Sequence, residues 1–223
     1  MAEPKVLEVL VPAGEASLPG TLCLPADATG LVLFAHGSGS GRASPRNRFV
    51  AGRLQKSRLA TLLFDLLEPG EAEDRAFVFD IALLERRLAA GVAWARTQPA
   101  LRPLPMGLFG ASTGAAAALR VAAMDARIAA VVSRGGRPDL AMEVLPRVHA
   151  PTLLIVGSLD HAVLEWNEAA LRALAGTKEL RVVRGATHLF EEPGCLEEVA
   201  RHAAAWFVDH LSPHVTEGAG HVS

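Results

Sequence analysis

The chain has 223 residues, half of them hydrophobic, and a formal net charge of −2 with both signs spread along it. This length suits one domain with a sizeable core, and the composition excludes a disordered chain. The charge gives no electrostatic reason to expect nucleic acid or an acidic membrane surface as a partner.

The cysteines, the N-terminus and the hydropathy of the chain indicate the compartment in which the protein is expected. Cys23 and Cys195 lack the close spacing of a metal site and are interpreted as reduced thiols, although a disulfide between them stays open. The N-terminus lacks the pattern of a signal peptide, and no apolar run reaches the roughly 18–20 residues that span a bilayer. We therefore expect a soluble, cytoplasmic protein with no membrane partner. The sequence leaves the oligomeric state open.

Strand-like and helix-like segments alternate through the first half of the chain. The predicted elements are strands 5–12, 20–26 and 30–37, helix 44–58, strand 59–67 and helix 77–97. Ser44 is the expected N-cap of the first helix, with Pro45 in its first turn. The second helix has apolar residues at spacings of three and four: Phe77, Ile81, Leu84, Leu88 and Val92.

The alternation continues to the end of the chain. The predicted elements are strand 105–112, helix 113–124, strand 128–136, a short helical stretch 138–148, strand 151–160, helix 163–176, strand 178–188 and helix 195–211. This order predicts an α/β fold with a mostly parallel sheet, helices on both faces and an active site at the carboxyl ends of the strands. We interpret residues 1–212 as one domain and 213–223 as a flexible tail.

A serine lies between two glycines where a predicted strand gives way to a helix, in Gly110-Ala111-Ser112-Thr113-Gly114. At such a tight junction, side chains two residues before and after the serine would clash with neighbouring backbone, and glycine removes the clash. The turn would hold the Ser112 hydroxyl above the sheet, beside a helix N-terminus that favours negative charge. We therefore predict that Ser112 is a nucleophile.

A serine nucleophile needs a base, and the base needs an acid that orients it. His188 follows the last predicted strand and fits the base, while Asp160 ends the strand before it and fits the acid. The order Ser, Asp, His is that of an α/β-hydrolase triad. Asp65 stays open as a competing acid, and His36, which precedes glycines, is assigned a backbone-shaping role.

Acyl transfer also needs hydrogen-bond donors for the oxyanion. One expected donor is the backbone N–H of Thr113, directly after the nucleophile, and the other is the N–H of Ser38 in the loop "HGSGSG". That loop also has the composition of a phosphate cradle. It lacks the G-K-[ST] ending and the full dinucleotide spacing, which disfavours this alternative.

Four motifs, "HGSGSG", "GASTG", "GSLD" and "ATH", stand in order on the expected elements. With them the chain resembles the α/β-hydrolase superfamily, and within it the dienelactone hydrolase-like group, over roughly residues 5–211. The resemblance implies an eight-stranded, mostly parallel sheet with an antiparallel second strand and no separate lid domain. It also implies Ser112, Asp160 and His188 as nucleophile, acid and base.

The resemblance has one departure, at the nucleophile. Dienelactone hydrolases proper carry cysteine there, so the sequence is closer to serine-bearing bacterial members with "HGSGS…SPRN". Those members are sometimes joined to phosphoribosyltransferase-like domains, and we expect no such domain in this sequence. The substrate is therefore not implied by the resemblance.

The function predicted from these residues is a serine hydrolase that cleaves a small or water-soluble carboxylic ester, with no metal or organic cofactor. A thioesterase or small peptidase would use the same triad, and a non-catalytic binding module on this fold also stays open. The segment between Gly135 and the strand at 151 is too short for a lid domain.

Two arginines follow the strand that ends at Gly136. Arg134 and Arg137 would lie at its carboxyl end, and one of them is predicted to bind a carboxylate or phosphate of the substrate. A solvated or helix-linked arginine is the alternative. Arg42, Arg46 and Asn47, beyond the glycine-rich loop, are further candidates for the same cleft.

Overall fold

A computed structural model describes residues 3–211. Eight strands form one sheet in the order β1-β2-β4-β3-β5-β6-β7-β8. Their bounds are β1 (Lys5–Ala13), β2 (Ala16–Leu24), β3 (Gly30–Ala35), β4 (Leu59–Phe64), β5 (Met106–Ala111), β6 (Ile128–Arg134), β7 (Thr152–Gly157) and β8 (Lys178–Val183). Strand β2 pairs antiparallel with β1 and β4, and the pairs from β4 through β8 are parallel. The predicted mostly parallel sheet is confirmed.

Helices cover both faces of this sheet. They are α1 (Pro45–Lys56), α2 (Pro69–Ala72), α3 (Arg75–Val78), α4 (Ile81–Thr97), α5 (Thr113–Met124), a 3₁₀ segment (Pro138–Arg147), α6 (His161–Ala173) and α7 (Cys195–Leu211). Residues of α1 and α7 share one hydrophobic cluster, and residues of α4, α5 and α6 share another on the opposite face. All six residues of each of β3, β4, β5 and β7 are buried between these layers, as their apolar runs predicted.

The predicted continuous helix 77–97 is wrong at its start. Helix α3 ends at Val78, and α4 begins at Ile81 behind Asp80, whose carboxylate accepts a hydrogen bond from the Leu83 N–H. An aspartate that accepts from a backbone N–H favours a new helix start over continuation. Phe77, assigned to the apolar stripe, is consequently exposed, whereas the rest of the stripe packs on the sheet.

The structure also bears on several smaller predictions. Ser44 caps α1 by accepting a hydrogen bond from the Asn47 N–H. Cys23 and Cys195 are buried free thiols. Between Arg134 and Thr152 the chain forms only the 3₁₀ segment, in place of a lid domain. Among residues 3–211, no helix is long and apolar enough to cross a membrane. The tail predicted at 213–223 lies outside the described residues.

Candidate active site

Ser112 stands at a strained turn between β5 and α5. Its φ of 50° lies in the left-handed region, which a residue with a side chain rarely adopts. A Cβ on Gly110 would lie 2.4 Å from the Ala115 Cα, and one on Gly114 would lie 2.2 Å from the Ala35 carbonyl oxygen. Both glycines are therefore required for the close approach of strand and helix, as the sequence predicted.

The loop after β3 packs directly against this turn. A Cβ on Gly37 would come within 2.9 Å of both the Ser112 Cβ and the Ala111 carbonyl oxygen. Ser38 follows in an exposed turn, and Thr113 begins α5 on the other side of Ser112. The first N–H groups of a helix have no intrahelical acceptor. The structure thus brings Gly37, the residue before the expected donor Ser38, against Ser112, and the other expected donor, Thr113, directly follows the serine.

His188 and Asp160 form a close pair at the ends of neighbouring strands. The His188 Nδ1 lies 2.6 Å from the Asp160 Oδ2, and their side chains are 39% and 16% exposed. The end of β6 connects this pair to the serine. Gly135 packs against the His188 ring, and the adjacent Arg134 carbonyl accepts a hydrogen bond from the Ser112 N–H at 3.3 Å. The three predicted triad residues share one edge of the sheet.

Hydrogen bonds between Thr187 and Glu192 close the loop that carries His188. The Thr187 hydroxyl donates to one Glu192 carboxylate oxygen at 2.6 Å, and the Thr187 N–H donates to the other at 3.2 Å. The bond from the Thr187 hydroxyl lowers the pKa of the Glu192 carboxyl. Between them, Phe190 has a positive φ of 57° and a buried ring. This arrangement holds the imidazole against Gly135 and Asp160.

His36 and Asp65 support the glycine-rich loop instead of pairing with His188. The His36 Nε2 accepts from the Leu66 N–H at 2.8 Å, so the proton is on Nδ1, which donates to the Gly37 carbonyl at 3.0 Å. Burial lowers the pKa of His36 and keeps this ring neutral. Asp65 accepts from the Arg42 N–H at 2.7 Å and pairs with its guanidinium. The competing acid is thus engaged elsewhere.

The two candidate substrate arginines differ in their surroundings. Arg137 donates from Nε and Nη2 to the Asp139 carboxylate and stacks over the Trp166 ring at 4.4 Å. The Arg134 side chain is buried, and its Nε and Nη1 have no hydrogen-bond partner among the described residues. Arg137 therefore matches the helix-linked alternative, and Arg134 keeps free donors.

Sequence reasoning missed the residues that organise the His188 loop. Neither Thr187 with Glu192 nor Phe190 stood out, because their roles depend on a loop conformation that has no local sequence pattern. A Glu four residues after a candidate base is a signal that could be sought. Among residues 3–211, no group of His, Cys, Asp or Glu side chains is arranged to hold a metal ion.

The model of the dienelactone hydrolase family matches residues 72–209, which is more than half of the chain and contains Ser112, Asp160 and His188. The chain belongs to the dienelactone hydrolase family. One solved member is a dienelactone hydrolase from Anabaena variabilis ATCC 29413. It is 51% identical and covers 94% of this chain and 100% of its own, with a TM-score of 0.92.

Other similarities are more distant or partial. Est1E from Butyrivibrio proteoclasticus shares the fold with a TM-score of 0.79 at 16% identity, over 91% of this chain and 98% of its own. A Mycobacterium tuberculosis (strain ATCC 25618 / H37Rv) protein, provisionally named phosphoribosyl transferase Rv0571c, is 58% identical over 206 residues. The match covers 92% of this chain but 46% of that protein, so this family member spans about half the length of the curated relative.

Proposed function

We propose that this family member is a serine hydrolase that cleaves a small or water-soluble carboxylic ester through an acyl-enzyme. The observation that carries the proposal is the His188–Asp160 pair, 2.6 Å apart, at the same sheet edge as a serine held at a positive φ. A non-catalytic binding module would have no need for this strained, convergent arrangement, which costs folding free energy.

In the first step, the Ser112 Oγ attacks the ester carbonyl while the His188 Nε2 takes the hydroxyl proton. The Asp160 carboxylate accepts from the His188 Nδ1–H, which fixes the tautomer with Nε2 free and stabilises the imidazolium that forms. The imidazolium then gives its proton to the alcohol oxygen as that bond breaks.

The negative charge on the carbonyl oxygen is stabilised by the N–H groups of Ser38 and Thr113. Support for this assignment is the contact of Gly37 with Ser112 and the start of α5 at Thr113. In the second step, His188 removes a proton from water, which attacks the acyl-enzyme and releases the acid. Ser112 recovers its proton from the imidazolium.

The segment after β6 favours a small or water-soluble substrate. Only the 3₁₀ segment Pro138–Arg147 stands between β6 and β7, where a lid over a large apolar substrate would need many more residues. The side chain of His188 is correspondingly part-exposed. Thioesters and activated amides can react at the same triad, so they belong in the first substrate screen.

The names of two relatives refer to different activities. The Anabaena protein is named a dienelactone hydrolase, whereas the Mycobacterium protein is named a phosphoribosyl transferase. More than half of that last protein lies outside the match. The matched part here carries the serine, aspartate and histidine, so we assign hydrolysis to it and not phosphoribosyl transfer.

A fluorophosphonate probe followed by intact-mass measurement tests the proposal. We expect one adduct on the wild type and none on Ser112→Ala or His188→Ala. Ser17→Ala, on β2, which β4 and β3 separate from β5 in the sheet, is the matched control and should label like the wild type. A folded wild type that takes up no probe and hydrolyses no short-chain ester or thioester would overturn the proposal in favour of a binding module.

A further inference from the structure

The segment 134–137, at the carboxyl end of β6, borders both the candidate nucleophile and the candidate base. The Arg134 carbonyl accepts from the Ser112 N–H at 3.3 Å, and the Arg137 N–H donates to the Ser112 carbonyl at 3.1 Å. A Cβ on Gly135 would lie 3.4 Å from the His188 Nδ1. A displacement of this segment would therefore change where the serine and the histidine lie relative to each other.

The candidate acid belongs to a different element. Asp160 is the N-cap residue of α6, and its carbonyl accepts from the Leu164 N–H at 2.9 Å. Its carboxylate must also stay within hydrogen-bond distance of His188, from which it lies 2.6 Å away. A shift of about 1 Å in a catalytic group can lower the rate by roughly 100-fold. Helix α6 and the segment 134–137 must therefore be held in a fixed relative position.

Two neighbouring side chains of α6 contact that segment. Asn167, in the second turn of the helix, is fully buried, and its Nδ2 donates to the Gly136 carbonyl at 3.0 Å. The same nitrogen donates to the Val163 carbonyl, one turn back in α6, at 2.8 Å. Trp166 lies against Arg137, with the ring 4.4 Å from the guanidinium carbon. Of these contacts, the bond from Asn167 reaches the backbone of the segment.

The backbone at Gly136 is also packed against two other elements. A Cβ at this position would lie 2.0 Å from the Ser133 Oγ and 2.7 Å from the Ala115 Cβ. Ser133 belongs to β6, and Ala115 lies in the first turn of α5, just after the nucleophile. The hydrogen bond from Asn167 adds α6 to this contact. The elements that carry the serine and the aspartate thus meet at Gly136.

The amide of Asn167 is not an economical way to fill space in the core. Its Oδ1 is buried and has no hydrogen-bond partner among the described residues, which costs free energy. The Val163 carbonyl, four residues back, is the regular acceptor of a backbone N–H in an α-helix. A leucine would occupy a similar volume without an unpaired acceptor. What the amide adds is the bond to the Gly136 carbonyl.

We propose that Asn167 is a positioning residue for the triad. Its bond to the Gly136 carbonyl holds α6, and with it Asp160, at a fixed distance from the segment that borders Ser112 and His188. Asn167 acts through the backbone of the segment and does not contact the substrate. The inference rests on the proposed hydrolase function and adds a residue on which the alignment of its three catalytic groups depends.

Kinetics of Asn167→Leu and Asn167→Ser with p-nitrophenyl butyrate test the proposal. We expect kcat to fall about 10- to 100-fold in both variants, because the three groups lose their alignment. KM should stay within about twofold, because the surface that binds the substrate is unchanged. The serine hydroxyl can still donate to the Val163 carbonyl but is too short to reach Gly136. Equal losses of kcat would therefore attribute the effect to the Gly136 bond.

Thr152→Val is the matched control. Thr152 is also fully buried, and its hydroxyl donates to the Ala150 carbonyl at 2.9 Å. It begins β7 at the amino end of the strand, away from the candidate triad. The variant therefore loses a buried bond from a side chain to the backbone and keeps the side-chain volume. Its kcat should stay within about twofold of the wild type.

Proton NMR measures the alignment without turnover. The His188 Nδ1 proton, in a short bond to the Asp160 carboxylate, should resonate downfield of the backbone amides, and His188→Ala assigns the signal by its loss. We expect the signal to move upfield or disappear in Asn167→Leu and to stay in place in Thr152→Val. This result would support the positioning role even if the wild type cleaved no ester, so the hydrolase function and the role of Asn167 can fail separately.

The proposal would be overturned by a folded Asn167→Leu or Asn167→Ser that keeps kcat within about threefold of the wild type and leaves the His188 signal in place. An equal loss of kcat in Thr152→Val would likewise make Asn167 a structural residue, because activity would then follow stability alone. Urea unfolding of all the variants supplies that comparison. If Asn167→Leu does not fold, Asn167→Ser keeps the test decisive, because it only shortens the side chain.

Discussion

Two buried arginines, Arg87 and Arg134, lie on different elements near the same edge of the sheet. They differ in whether the fold supplies partners for their guanidinium groups. Arg87 on α4 donates to the Leu66 carbonyl at 2.9 Å and to both oxygens of Glu71, so its charge is fully engaged by the fold. Arg134 at the end of β6 is as deeply buried, and its Nε and Nη1 have no partner in the described residues. The first arginine stabilises the fold. The second is a buried charge that the described residues leave without a counter-charge, so it lowers the stability of the fold.

The largest expected effect is a loss of activity at the nucleophile, with almost no change in stability. Ser112→Ala should lower kcat for a short ester by about 10⁴- to 10⁶-fold, because it removes the attacking oxygen. The free energy of unfolding should change by less than about 0.5 kcal/mol, because alanine has the same Cβ at the same backbone. Steady-state kinetics and urea unfolding measure the two. Residual activity above a few per cent would place the nucleophile elsewhere.

Breaking the Arg87 network should affect stability most. Glu71→Gln should lower the free energy of unfolding by about 2–3 kcal/mol, because a buried guanidinium loses its counter-charge. The Arg87 hydrogen bond holds the pKa of Glu71 below its usual range, so its stabilisation is complete above the unfolded pKa and is lost as the pH falls through the lowered value. Urea unfolding across pH measures the difference, which should shrink in acid.

A matched control for Glu71 is Glu179, whose partner Arg181 is half-exposed on β8. Glu179→Gln should cost at most about 0.5–1 kcal/mol, because solvent screens an exposed pair. Equal losses in the two variants would contradict the view that Glu71 compensates a buried charge.

Arg134 should respond in the opposite direction. Arg134→Met should raise the free energy of unfolding by roughly 1–3 kcal/mol, because it removes an unpaired buried charge and keeps most of the apolar volume. Thermal and urea unfolding give the sign. Arg137→Met is the matched control and should lower stability, because it breaks the bonds to Asp139 and the contact with Trp166. A loss of stability in both would make Arg134 a structural residue.

The smallest effect concerns backbone strain at Ser112. Ser112→Gly should be more stable than Ser112→Ala by about 1 kcal/mol, because glycine adopts a φ of 50° without steric cost. At Ser57, where φ is −96°, the glycine variant should not be the more stable one. Urea unfolding of the four variants tests this. If glycine were the more stable replacement at both serines, the turn at Ser112 would store no backbone strain.

Much of the fold could be predicted because local patterns and the overall topology agree. Each of the eight predicted strands has a counterpart in the structure, and the glycines around Ser112 fulfil the packing role expected of them. The break between α3 and α4 was missed, because Asp80 competes for a backbone N–H inside a stretch that keeps helical apolar spacing.

The candidate triad could be proposed from residue types at strand ends, since parallel strands bring those ends to one edge. The choice between Asp160 and Asp65 needed coordinates. Both carboxylates follow the carboxyl ends of strands, and only packing directs one toward His188 and the other toward Arg42.

The sequence by itself determined the alternation of elements, the strained serine between glycines and the order of serine, aspartate and histidine. These depend on steric limits and periodicities that act within a few residues. Only the tertiary structure decided which arginines have partners. Asp139 lies two residues from Arg137, whereas Glu191 reaches Arg46 across 145 residues of chain and nothing reaches the buried Nε and Nη1 of Arg134 in the described fold. Whether a charged side chain has a partner depends on which groups the fold brings within hydrogen-bond distance.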